Sequence, residues 1–515
     1  MNSLPKGSGV SSISSRVELM RMDSNASTAS SINTVSQNVV PENVIGMPEA
    51  TEKAPPDTSK KKHHHAWLHV KRSEKRNTIS DEQAVMSLIK GLCGTGMFAL
   101  PQAMKNAGLW TGFVLLIVNN AISIYCLHIL GRRAQKFCYR FFYLCYDKCY
   151  LAEHDFRTEQ ASLNYGDVVE LSFTYAPQPF SRFARAAKKL LLVTQTIYST
   201  NFGNLTVPIC KGVRAMQEEA QQAFDFAVDY SVQMYMSIVL PFLLAAVSLR
   251  HLKHISILAM LGNPAQLLCL AITLYYVFQE VPTIQNLPAF GGWGSMPLAF
   301  GTIMFSFEAI NLILPVENRT RNPSFFLKWN GVLNVSCVLV TIFYVAIGFF
   351  GYIRYGENIK DSITLNLPYD EPLARSVKAI IALAVALSYP LQYHVPMDFI
   401  AGYLKEKYRE TPRKRMLLEY SIRYGLTLLI FVFAMVVSSL GLIISLVGAF
   451  TGATLALVIP PIVNIVLLYN ERLSTKRFKT RVTIDLLVLL YGLAGLIAGT
   501  VICIYDIIHA TKSSH

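Results

Sequence analysis

The chain has 515 residues, 52% of them hydrophobic and only 16% charged, where an ordinary globular protein carries about a quarter charged residues. That depletion argues against a soluble enzyme. The net charge of +14 does not indicate a nucleic-acid partner, because the basic residues sort by side between long apolar runs, as they do in membrane proteins.

The first eighty residues include fourteen serines and no long apolar run. Residues 1–80 are therefore expected to form a disordered cytosolic region that cannot bury enough surface to offset its ordering cost. No cleavable signal peptide is read there. Lys60, Lys61, Lys62, Lys71, Arg72, Lys75 and Arg76 make a basic tract over 60–76 that suits anionic lipid headgroups or simply sets topology. His63, His64 and His65 read as a solvated polar run, since zinc requires ligands spaced around a tetrahedron; no metal or other cofactor is expected.

Eleven apolar runs follow, at about 84–103, 109–130, 187–209, 231–249, 255–278, 294–314, 329–352, 374–395, 421–438, 443–468 and 482–505. Each approaches the roughly 20 residues that a helix needs to cross the hydrocarbon core. They are continuous rather than alternating, so they predict helices and not barrel strands. Lys and Arg are several-fold more numerous in the tracts 131–186, 250–254, 315–328, 396–420 and 469–481 than in the opposite ones. The positive-inside rule then puts the N-terminus in the cytosol and the short tail 509–515 on the far side of a transmembrane domain spanning 81–508.

Nine cysteines give no disulfide framework, because Cys93, Cys126, Cys269, Cys337 and Cys503 fall within spans and Cys138, Cys145 and Cys149 fall in a cytosolic tract. The last three lie in an aromatic, basic stretch where palmitoylation and unreactive thiols are both open readings. Phosphate-loop, metalloprotease and nucleophile-elbow signatures are absent from the sequence.

The irregular features are breaks within two spans. In the first, Gly91-Leu92-Cys93-Gly94-Thr95-Gly96 holds three glycines that weaken helix and let a ligand approach bare backbone. In the sixth, Phe305-Ser306-Phe307-Glu308 sets a carboxylate near the bilayer midplane, a functional feature by default. Both segments end in Leu-Pro, at Leu100-Pro101 and Leu314-Pro315, and aligning those pairs puts Gly94 opposite Glu308. Spans 1 and 6 are five apart, so the second copy is inverted, and broken helices at equivalent points of inverted repeats mark a transporter's substrate site. Tight helix packing by glycine and a satisfied buried Glu are the alternative.

Freed amides at a half-helix N-terminus suit a carboxylate, and freed carbonyls suit an ammonium or a cation. The candidate substrate-binding residues are Gly91, Cys93, Gly94, Thr95, Gly96, Phe305, Ser306, Phe307 and Glu308. Glu308 and Lys90 are the coupling candidates, Lys90 either pairing with Glu308 or neutralising span 1. Gln195, Tyr198, Tyr389 and Gln392 are weaker candidates that also suit helix–helix hydrogen bonding. His394 suits interfacial packing, and Gly262-Asn263-Pro264 should kink span 5.

These motifs, together with Lys105-Asn106-Ala107-Gly108, Leu314-Pro315-Val316-Glu317-Asn318, Gly351-Tyr352, Ser362 through Pro368, Leu446-Val447-Gly448 and Ile459-Pro460-Pro461, resemble the amino acid/auxin permease superfamily. Within it they are most similar to the proton-coupled amino acid transporters, over about residues 83–505. The resemblance implies an all-α polytopic protein of eleven transmembrane helices, with a leucine-transporter-like 5+5 inverted repeat plus one extra helix. It also implies symport of small neutral amino acids (glycine, alanine, proline type) with protons, at the plasma membrane or the lysosomal or endosomal membrane, and growth-control signalling partners for some members. Two positions depart from the family pattern: Ser87 stands where relatives carry a His implicated in proton coupling, and Pro368 is followed by Tyr369 and Asp370 rather than by the cysteine that would pair with Cys210. A sodium-coupled or vesicular carrier of the same superfamily, and an amino acid sensing transceptor, are the alternative functions.

Overall fold

The computed structural model describes residues 79–149, 163–176, 180–200, 232–249, 252–279, 287–307, 310–368, 371–408, 411–436, 440–469 and 475–513. The readings made for residues 1–78, the 60–76 basic tract among them, and those for Cys210 and Glu308 lie outside them, while residues 509–513 of the short tail continue the last described helix. Among the described residues the protein is helical, with a single isolated bridge, Ile79 to Thr320.

Span 1 is α1 (Asp81–Leu92), a 3-10 segment (Thr95–Ala99) and α2 (Leu100–Ala107). Spans 2 to 5 contain α3 (Leu109–Cys149), the short connecting α4 (Tyr165–Thr174), α5 (Ala184–Thr200), α6 (Val232–Val247) and α7 (Leu252–Gln279). Span 6 is α8 (Met296–Ser306) and α9 (Ile310–Glu317). After the one-turn α10 (Pro323–Phe326) come α11 (Val332–Tyr355), α12 (Pro372–Lys407) and α13 (Pro412–Val436). Span 10 runs from α14 (Leu440–Val447) through two widened π-helical segments (Gly448–Gly452 and Thr454–Val458) into α15 (Ile459–Leu468), and α16 (Thr475–Ser513) completes the set. Each of the eleven apolar runs is thus mainly helical where described, with breaks at 93–94 in span 1 and at Phe307 in span 6. By length and composition, four described helical stretches suffice to cross a membrane, or five if the bent pair of span 1 counts as one.

Local sequence explains why α1 starts where it does. Ser80 Oγ accepts the Gln83 N–H at 3.3 Å and Gln83 Oε1 accepts the Ser80 N–H at 3.0 Å, a reciprocal capping box. Asp81 and Glu82 add negative charge at the positive end of the helix dipole. The buried stripe Ala84, Leu88 and Leu92 recurs every fourth residue and packs on α11. The lipid-type face is clearest on α16, where Leu487, Leu490, Ile497, Val501 and Ile508 are exposed, as expected for a helix at the rim of a bilayer bundle.

Spans 1, 2, 6 and 7 pack together, while α12 runs along α7 and also meets α5, α6 and α13. The second group is pinned by the buried Arg423, whose Nη2 lies 3.1 Å from Glu419 Oε1 and whose Nη1 donates to Val247 O at 2.9 Å. Span 10 lies on α8, with Thr302 Oγ1 2.8 Å from Ser445 Oγ and Gly301 against Ser445 and Gly448. Small residues at this crossing let two backbones approach without side chains between them.

Span 1 is fastened to span 6 at both ends. At the start of α1, the Ile79 N–H donates to Arg319 O at 2.9 Å, the Arg321 N–H to Ile79 O at 3.2 Å, and Asn322 Nδ2 to Asp81 Oδ2 at 3.0 Å. Past α2, the Gly291 N–H donates to Ala107 O at 2.8 Å and Ser295 Oγ to Asn106 O at 2.6 Å. The Leu-Pro alignment sets Ile79 opposite Trp293 and Arg321 opposite Ala107, so these two fastenings fall at matching places of the two repeats.

Candidate transport site

Helix α1 ends because the chain turns extended at Gly94 (φ −77°, ψ −178°) after a C-cap at Cys93 (φ −72°, ψ 56°). The stretches on either side, Asp81–Leu92 and Gly96–Ala107, are inclined by 45°. Helix α8 ends in the same way, with Phe307 as C-cap (φ −90°, ψ 62°). In each case the capping N–H donates four residues back, Cys93 to Ile89 O at 2.8 Å and Phe307 to Ile303 O at 3.2 Å. Cys93 and Phe307 are the positions that the Leu-Pro alignment equates.

A helix end within a bilayer needs partners for its freed carbonyls. Tyr344 of α11, fully buried, supplies a hydroxyl 2.8 Å from Leu92 O that also contacts Ser306 O. Those carbonyls are again equivalent in the repeat, and a hydroxyl has one proton to share between them. Ser306 Oγ donates to Gly96 O at 2.8 Å or to Thr302 O at 3.0 Å. From α7, Gln266 Nε2 donates to Cys93 O at 2.6 Å.

The three glycines of span 1 divide by what a side chain would meet. A Cβ on Gly91 would strike Leu312 of α9, and one on Gly96 would lie 2.8 Å from Phe305 Cδ1 and 2.9 Å from Ser306 Cα. These two are glycines of close helix crossing. A Cβ on Gly94 would find nothing nearer than Leu92 O at 4.0 Å, and its φ suits any residue, so what glycine preserves there is open space beside the break.

Cys93, Phe305, Ser306 and Phe307 are all buried. For Thr95 only the backbone is described; Glu308 follows the α8 C-cap directly in sequence. Lys90 is exposed in the last turn of α1. Ser87, also exposed, donates its hydroxyl to Gln83 O at 2.7 Å. Gln195 is half-buried and Tyr389 buried against Tyr393. The side chains of Tyr198, Gln392 and His394 lie outside the described set.

Sequence reasoning passed over Tyr344 and Gln266, and also a polar network away from the break. Arg133 Nε and Nη2 donate to Asn464 Oδ1 at 2.8 and 2.6 Å. Asn464 Nδ2 donates to Asp485 Oδ2 at 2.6 Å, and the Tyr125 hydroxyl to Asp485 Oδ1 at 2.7 Å. The fully buried Asp485 thereby joins α16 to spans 2 and 10. A carboxylate within an apolar run was the available signal.

Residues 77–505 match the family model described as transmembrane amino acid transporter protein. The chain is 29% identical over 435 residues to the proton-coupled amino acid transporter-like protein pathetic of Drosophila melanogaster, covering 84% of this chain and 87% of that protein. It is 27% identical over 445 residues to the probable amino acid transporter skat-1 of Caenorhabditis elegans, covering 85% and 91% respectively. Among solved structures, the inward-facing conformation of Mhp1 aligns with a TM-score of 0.48 at 12% identity over 85% of this chain and 92% of that chain. MhsT in complex with L-phenylalanine aligns with a TM-score of 0.41 at 11% identity, over 83% and 99%. The match across the whole transmembrane region makes this chain a member of the transmembrane amino acid transporter family, a multi-pass membrane protein that is not an enzyme.

Proposed function

We propose that the protein is a secondary active symporter that moves small neutral amino acids together with protons by alternating access. The observation that carries this reading is the pair of matched helix breaks at Cys93 and Phe307 with open space at Gly94. The freed carbonyl ends of α1 and α8 carry partial negative charge suited to a substrate ammonium, and the amides entering the Thr95–Ala99 turn suit its carboxylate. Phe305, packed at Gly96, supplies a bulky wall that favours small side chains. The name of the Drosophila relative supports protons as the coupling ion. Glu308 is assigned as the proton carrier, because Ser87 does not titrate near neutral pH and Glu308 is the carboxylate next to the span 6 break.

The N-terminus is assigned to the cytosol by the positive-inside bias, the membrane to the cell surface or to lysosomes and endosomes, and the 60–76 basic tract to anionic headgroups. Glu308→Gln tests the coupling. A proton carrier predicts loss of accumulation driven by a pH gradient while exchange persists; unchanged proton-driven accumulation would remove Glu308 from the mechanism.

A further inference from the structure

The carbonyl of Cys93 is freed by the end of α1, and it is answered by a side chain from a different span. Gln266 Nε2 donates to it at 2.6 Å. Gln266 lies two residues beyond Pro264, which sits inside α7 and cannot donate to the helix ladder. Helix α7 stays continuous from Leu252 to Gln279, but the proline removes one bond of its ladder about half a turn from Gln266, which makes this the place where span 5 can bend. A donor on a bendable helix is thus fixed to the carbonyl end of a broken one, beside the open space at Gly94.

We propose that Gln266 is a positioning residue of the transport cycle. Its carboxamide N–H caps the broken end of span 1 at Cys93 O, holds span 5 against the break, and is released when span 5 bends at Pro264. A neutral amide suits this role because it neutralises part of the helix-end charge without fixing a full cation there. A salt bridge or lysine at that carbonyl would be costlier to break in each cycle than a neutral hydrogen bond.

The inference rests on the transport reading, and its test separates the two. Amino acid exchange is measured in proteoliposomes with equal pH on both faces, for wild type, Gln266→Met and Gln266→Glu. Methionine keeps the length of the side chain and removes the donor, so exchange is expected to fall about tenfold at unchanged protein abundance. Glutamate donates only when protonated, so the ratio of Gln266→Glu to wild-type exchange is expected to rise as pH falls. A wild-type rate in Gln266→Met, or a pH-independent ratio in Gln266→Glu, would overturn the proposal.

If wild type moves no amino acid, the transport reading fails and alkylation of Cys93, followed by mass spectrometry of its peptide, decides the inference instead. Cys93 is 2% exposed and should be alkylated faster once Gln266→Met frees span 5. Equal rates in the two proteins would contradict the capping role.

Discussion

Cys93 and Phe307 end their helices with nearly the same backbone angles, φ −72° and ψ 56° against φ −90° and ψ 62°. The two residues share no side-chain chemistry, so the likeness comes from position in the repeat. Tyr344 bridges the carbonyls one residue before each, Leu92 O and Ser306 O, and so ties the two copies together where both are unwound.

Loss of that hydroxyl should be felt in both copies. Tyr344→Phe keeps the packing and removes the only proton the side chain can share, leaving a buried carbonyl less well satisfied at a cost of about 1–3 kcal/mol. A lower melting temperature in detergent and slower turnover are expected. Unaltered stability and turnover would show that other groups take over both carbonyls.

Gly94 and Gly96, two residues apart, should fail differently. Alanine at Gly96 meets Phe305 and the backbone of Ser306, an overpacking cost of about 1–3 kcal/mol that lowers folding yield. Alanine at Gly94 has room and should leave thermal stability unchanged while weakening substrate affinity. Equal destabilisation by the two substitutions would refute this division.

The breaks were legible in the sequence because glycine clustering and a carboxylate within an apolar run are local signals, and the shared Leu-Pro pairs set the repeat register that Cys93 and Phe307 display. Gly91 and Gly96 looked like Gly94, since which glycine faces a neighbouring helix depends on how the spans cross. Tyr344 was hidden among apolar neighbours on a helix whose buried stripe has the ordinary spacing of a packed face. Gln266 gave no sign either, since an amide near a kink is recognised only through the carbonyl it meets. Asp485 carried a readable signal, a charge within an apolar run, but its partners Tyr125 and Asn464 come from spans far apart in sequence.

That network should matter for stability more than for substrate choice. Asp485→Leu removes the acceptor of both Tyr125 and Asn464, and hydrogen bonds to a charged group contribute about 1.5–3 kcal/mol each. A fall in melting temperature with unchanged KM is expected from the surviving folded fraction. A changed KM with full stability would place Asp485 in the transport path.

Topology offers an independent check. Tags at residues 1 and 515 should lie on opposite faces of the membrane, because eleven passes is an odd number. Equal protection of both tags from protease in sealed vesicles would break the repeat assignment.

The most direct test of the central claim is uptake of a panel of labelled amino acids into proteoliposomes under imposed proton or sodium gradients, with wild type beside Gly94→Val. The account predicts accumulation of small neutral amino acids under the proton gradient, none added by sodium, and strong loss in Gly94→Val at normal abundance, because a β-branched side chain fills the open space at the break. Wild-type affinity and flux in Gly94→Val would contradict the assigned site.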